Sequence, residues 1–191
     1  MAKTESTFRN MVLSLTLISL GAAACLGSVY ELTKKPIEVS NLNKKLRAIE
    51  MVAPEFNNNP DAEKFRLPTP EGDSLDIYPA KKDGVLTGYA VNTYTRIGFS
   101  GYFSVMTGFT SDGTITGITV LEHKETPGLG SKMNDPAFRD QFYNKNPGSF
   151  TLKVKKDGGN VDAITAATIS SRAFCDALQR AYGTLMKGEK K

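Results

Sequence analysis

Thr165, Thr168, Ser170 and Ser171 fall within Asp162-Ala163-Ile164-Thr165-Ala166-Ala167-Thr168-Ile169-Ser170-Ser171, directly before a strongly patterned helix. Hydroxyls in that position can hold a phosphate. The first turn of a helix leaves backbone N–H groups without partners and carries the positive end of the macrodipole. The same residue types are ordinary helix caps, and taken alone they favour capping. A second segment, His123-Lys124-Glu125-Thr126-Pro127-Gly128-Leu129-Gly130, carries the single histidine beside a turn-forming run. Glu125 and Thr126 offer polar contacts, Leu129 an apolar face, and Gly128 and Gly130 a close backbone approach. The Gly-x-Gly is no dinucleotide fingerprint, because no helix opens there with a third glycine, so no NAD site is expected. No serine or cysteine nucleophile motif accompanies His123, which reads as a structural strand-end histidine, and no catalytic residue is assigned. Asp162 either hydrogen-bonds its loop or repels a nearby phosphate.

The elements that must position these segments are legible in part. From Ser171 to Lys187 apolar residues fall in pairs every four positions, Ala173 and Phe174, Ala177 and Leu178, Ala181 and Tyr182, Leu185 and Met186, which predicts one buried helical face. Gly188 stands where a left-handed C-terminal residue is favoured. Strands are expected from Val85, with Val85, Tyr89 and Val91 on one face, from Tyr102 to Phe109, and from Thr114 to Glu122. In the last of these Ile118 and Val120 face opposite Ile115 and Leu121. Ser111-Asp112-Gly113 makes an antiparallel hairpin of the last two. Asp135-Pro136 opens a helical turn that buries Phe138 and Phe142, and Phe150 to Val154 adds a short strand. Asn57 to Pro60 and Leu67 to Asp73 read as loops. Ser40 caps a short helix striped by Leu42, Leu46 and Ile49. An antiparallel sheet packed against helices, an α+β fold, is the natural assembly.

Residues from Asn10 to Tyr30 are uncharged and mostly apolar, the length of one bilayer-spanning helix. A cleaved signal peptide ending near Ala22-Ala23-Ala24 is the alternative, and both export the remainder of the chain. Ala22 three residues before Cys25 argues against a lipidation site. The charges on either side, Lys3 and Arg9 against Lys34 and Lys35, do not set orientation. With 191 residues, 40% of them hydrophobic and 23% charged, the chain holds one folded domain and an appendage. A net charge of +4, with lysines spread from the stem to Lys190 and Lys191, offers no stripe for nucleic acid. Cys25, Cys175 and one histidine build neither a zinc site nor an iron–sulfur cluster, so any redox group is organic or shared, and Cys175 reads as a buried hydrophobe.

Asp162-Ala163-Ile164-Thr165-Ala166-Ala167-Thr168 resembles the Asp-x-x-Ser/Thr-Gly-Ala-Thr flavinylation motif of FMN-binding domains, in which FMN is joined by a phosphoester to the last threonine, here Thr168. Glu125-Thr126-Pro127-Gly128-Leu129-Gly130 is similar to a segment near the flavin in the same family. With its anchor, the whole chain resembles the G subunits of Rnf electron-transport complexes, relatives of the NqrC subunit of sodium-pumping NADH:quinone reductase. The resemblance implies an FMN site built from Ile164, Thr165, Ala166, Ala167 and Thr168 with Glu125, Thr126, Gly128, Leu129 and Gly130, and no metal. It implies a flavoprotein subunit that relays electrons on a ferredoxin-to-NAD path coupled to sodium or proton movement and is not catalytic alone. Its partners would be other membrane and peripheral subunits of the complex, a flavin transferase for maturation and membrane lipid. The implied location is the bacterial inner (cytoplasmic) membrane, crossed once, with the C-terminal domain outside the cytoplasm. The corresponding organisation is a tail over 1–9, an anchor over 10–32, a stem over 33–78 and an FMN-binding domain over 79–191. Ala166 replaces the family's glycine, and at positive φ an alanine there costs on the order of 1 kcal/mol. An NqrC-like subunit, a non-redox exported binding or assembly module, and a hydrolase using Ser170 or Ser171 are the other readings.

Overall fold

The computed structural model describes residues 7–188, so most of the expected 1–9 tail and the Lys190–Lys191 end lie outside it. The chain divides into two compact units, the first ending at Asn43 and the second beginning at Lys44. Helix α1 (Phe8–Val52) fills the described part of the first unit, where it is long and apolar enough to cross a membrane and buries none of its apolar window. The separate helix expected to start at a Ser40 cap does not exist. Pro36 is carried inside a continuous α1, with the strong helix formers Leu32, Lys34, Lys35 and Glu38 on either side of it.

The second unit is an antiparallel five-stranded meander in the order β1 (Phe65–Pro68), β2 (Ser74–Lys82), β3 (Val85–Gly98), β4 (Gly101–Thr110) and β5 (Ile115–Glu122). Leu67 and Pro68, expected in a loop, belong to β1, and β2 was not foreseen because Pro79 interrupts its pattern. Pro79 pairs only with Tyr89 of β3, while β1 ends its pairing at Ile77, so the missing N–H faces no partner. The β4–β5 hairpin forms as expected around Asp112-Gly113. Its predicted faces change, because Phe109 pairs with Ile115 and Gly108 with Gly117. Thr116 is thus an extra residue that reverses side-chain alternation. Ile115, Ile118 and Val120 consequently share one cluster, and Leu121 packs with the other.

Strand alternation gives the sheet two apolar faces. One receives the last turns of α1, where Ala48, Ile49 and Val52 meet Tyr78, Ala90 and Met106. The other is covered by α3 (Thr168–Gly188), which buries Ala173, Phe174, Ala177, Leu178, Ala181 and Leu185. Thr93 donates its hydroxyl to the Ala177 carbonyl at 2.9 Å, seating α3 on β3. Beneath α3, Phe138 of helix α2 (Pro136–Arg139), Phe142 and Phe174 form a ring trio with centroids 5.2 to 5.4 Å apart. The strand expected at Phe150–Val154 is absent. A single bridge joins Val154 to Val161 across the tight Lys155–Gly159 turn, which leaves no room for a ladder. Gly188 is the last helical residue, without the left-handed backbone expected of it.

Candidate functional site

Ile164 to Ala167 form a turn closed by the Ala167 N–H donating to the Ile164 carbonyl at 3.0 Å. Its third residue, Ala166, has φ +61°, a value that such turns normally reserve for glycine or asparagine. Ser171 clasps the turn from inside. Its hydroxyl accepts the Ile164 N–H at 2.9 Å and donates to the Ala167 carbonyl at 3.0 Å. Asp162 secures the approach, pairing with Lys155 at 2.8 Å while its backbone bonds to Gln141 in both directions. The loop therefore delivers Thr168 to the first position of α3 by bonds that never use the Thr168 side chain.

Capping does not account for this helix start. Among the described residues the N–H groups of Thr168, Ile169 and Ser170 have no acceptor, and the half-buried Thr168 hydroxyl makes no hydrogen bond. Ser170 turns inward and donates to Glu125 Oε2 at 2.8 Å. Three free amides at the positive end of a 21-residue helix, with the Thr168 oxygen beside them, are donors that an anion could use.

The second segment arrives from the end of β5. Glu125 is buried, Gly128 adopts φ +76° with its N–H on Ser131 Oγ, and Leu129 is 40% exposed. A Cβ at Gly130 would stand 2.5 Å from Glu125 Oε2 and 2.7 Å from Ser170 Oγ, so any larger residue there would displace those side chains. His123 lies off this surface, with Nε2 3.2 Å from Asn134 Nδ2 and Nδ1 buried without a partner. Cys175 is buried on α3, which pushes its thiol up to about 12.

The two segments, far apart in the chain, share one cleft of about 280 Å³. Glu125, Thr126, Leu129 and Gly130 line one side and Ala166, Ala167, Thr168, Ile169 and Ser170 the other, while Gly128, Ile164 and Thr165 stand outside the lining. Phe99, from the β3–β4 turn, completes it. Neither Phe99 nor Ile169 is singled out by the sequence. A lone aromatic in Gly98-Phe99-Ser100-Gly101 was the available signal, yet nothing local says that a hairpin tip meets a helix start seventy residues later. Phe99, Leu129 and Ile169 are 66, 40 and 47% exposed, an apolar rim left open around a set of anion donors. That pairing suits a planar ring bearing a phosphate.

The FMN-binding domain family matches residues 98–183, a span that holds every residue lining the cleft. Residues 98–183 are thus similar to an FMN-binding domain. The G subunit of the ion-translocating oxidoreductase complex of Aliivibrio fischeri (strain MJ11) is 33% identical over 187 residues, covering 92% of this chain and 89% of the relative. The G subunit of the Na(+)-translocating ferredoxin:NAD(+) oxidoreductase complex of Acetobacterium woodii is 37% identical over 174 residues, covering 84% of this chain and 83% of that one. The chain belongs to the family of G subunits of ion-translocating oxidoreductase complexes. The crystal structure of Shewanella oneidensis NqrC shares the fold, with a TM-score of 0.50 at 21% identity over 74% of this chain and 70% of that one.

Proposed function

We propose that this chain is the FMN-carrying G subunit of an ion-translocating oxidoreductase complex, with FMN joined through a phosphoester to Thr168 Oγ1. The observation that carries the reading is the Thr168 hydroxyl, free of any internal acceptor and flanked by three free amides at the edge of the cleft. The donor set and the apolar rim fit the group. Bound FMN supplies one- and two-electron transfer. The amides of Thr168, Ile169 and Ser170 hold the phosphate, and Phe99, Leu129 and Ile169 shield the ring from water. Glu125, Thr126 and Gly130 form the opposite wall, while Ile164, Thr165 and Ala166 shape the turn that presents Thr168. Maturation makes the chain a substrate of a flavin transferase, to which Thr168 offers its oxygen.

The apolar part of α1 anchors the domain by a single crossing of the bacterial inner membrane, with the C-terminal domain outside the cytoplasm. There the subunit relays electrons among the other subunits of the complex and is not catalytic by itself. The test is denaturing electrophoresis of the full chain produced together with its flavin transferase and viewed under ultraviolet light. The unsubstituted chain is expected to fluoresce in its band and Thr168→Ala to be dark. A dark band from the unsubstituted chain, or a bright one from Thr168→Ala, contradicts the linkage.

A further inference from the structure

Glu125 is 4% exposed, yet it forms no ion pair with any described residue. Both of its oxygens are occupied by neutral donors, Oε1 by the Ser100 N–H at 3.0 Å and Oε2 by the Ser170 hydroxyl at 2.8 Å. Glycines clear the space on two sides. A Cβ on Gly98 would stand 2.6 Å from Oε1, and one on Gly130 would stand 2.5 Å from Oε2. Ser100 belongs to the turn that carries Phe99, Ser170 to the helical turn that carries Thr168 and Ile169, and Glu125 itself to the loop that carries Leu129. One carboxylate therefore ties together the three segments that wall the cleft, and lines the cleft as well.

Burying a carboxylate without a cation is costly, and a neutral amide of nearly the same shape would brace the same two groups. The charge calls for a reason beyond bracing. Reduction adds negative charge to a flavin ring, and a carboxylate in the surrounding low dielectric opposes that addition. We infer that Glu125 is the positioning residue of the cleft and that its negative charge lowers the reduction potential of the flavin held there. The inference rests on the FMN reading above.

The full chain, produced with its flavin transferase and purified in detergent, is titrated spectroelectrochemically beside Glu125→Gln and Ser170→Ala. Glu125→Gln is expected to keep its flavin and shift the midpoint potential upward, whereas Ser170→Ala, which keeps the charge, does not raise it. Equal potentials in Glu125→Gln and the unsubstituted chain, or an equal rise in Ser170→Ala, overturn the role of the charge. In the flavin-free Thr168→Ala background, adding Glu125→Ala is expected to speed hydrogen exchange at the Ser100 amide. An unchanged rate overturns the positioning role. An unsubstituted chain that carries no flavin sinks the FMN reading itself, an outcome distinct from a loaded protein with unmoved potentials.

Discussion

Ala166 stores strain next to the residue that matters most. Its φ of +61° is forced by the bonds that close the Ile164–Ala167 turn, and Ser171 holds that turn from within. Replacing it with glycine relieves about 1–2 kcal/mol of left-handed strain and adds about 0.4–1 kcal/mol of unfolded-chain entropy, a net gain of about 0.5–1 kcal/mol. Urea titration of Ala166→Gly should show that gain, and a loss of stability would mean the turn does not hold its strained form in solution. The chain tolerates the strain because both ends of the turn are pinned. The possibility of a penalty at this position was readable from the motif, but its presence was not, since φ depends on hydrogen bonds to Ser171 that no local pattern announces.

Elements differ in how far they could be read, for physical reasons. Helix α3 was legible because its pairs repeat every four residues and one face is buried throughout. The β4–β5 hairpin was legible because Asp-Gly specifies its turn. The Thr116 bulge was not, and neither were β1 and β2: Pro68 is the last residue of an edge strand, and Pro79 lies beyond the point where β1 stops pairing with β2. The docking of the last turns of α1 on the sheet was equally hidden. It depends on glycines where backbone meets backbone. A Cβ on Gly108 would lie 1.7 Å from the Val52 carbonyl oxygen, and one on Gly117 would lie 2.7 Å from Val52 Cα. Thr116 donates to that same Val52 oxygen at 2.6 Å. Gly108→Ala is therefore expected to destabilise the domain by about 3 kcal/mol or more, at or beyond the upper end for overpacking, since backbone cannot rotate aside. A thermal melt within a degree of the unsubstituted chain would contradict that packing.

For the molecule as a whole, each half of the candidate site was visible in the sequence and the meeting of the halves was not. Glu125 to Gly130 and Ile164 to Thr168 carry recognisable motifs. Only the meander and the seating of α3 on β3 bring them to one cleft, and Phe99 joins by virtue of a hairpin tip. The apolar window of α1 stays unburied, and the unit from Lys44 onward holds the candidate cleft. The cleft, about 280 Å³, is just below the size that encloses a typical ligand, so the linkage proposed at Thr168 would supply the fixing that the walls alone do not. The decisive measurement is mass spectrometry of the peptide containing Thr168, taken from the protein assembled in its native membrane. The account predicts a peptide heavier by one FMN less one water, with fragment ions placing the increment on Thr168. An unmodified Thr168 peptide, or an increment on Thr165 or Ser170, would contradict it.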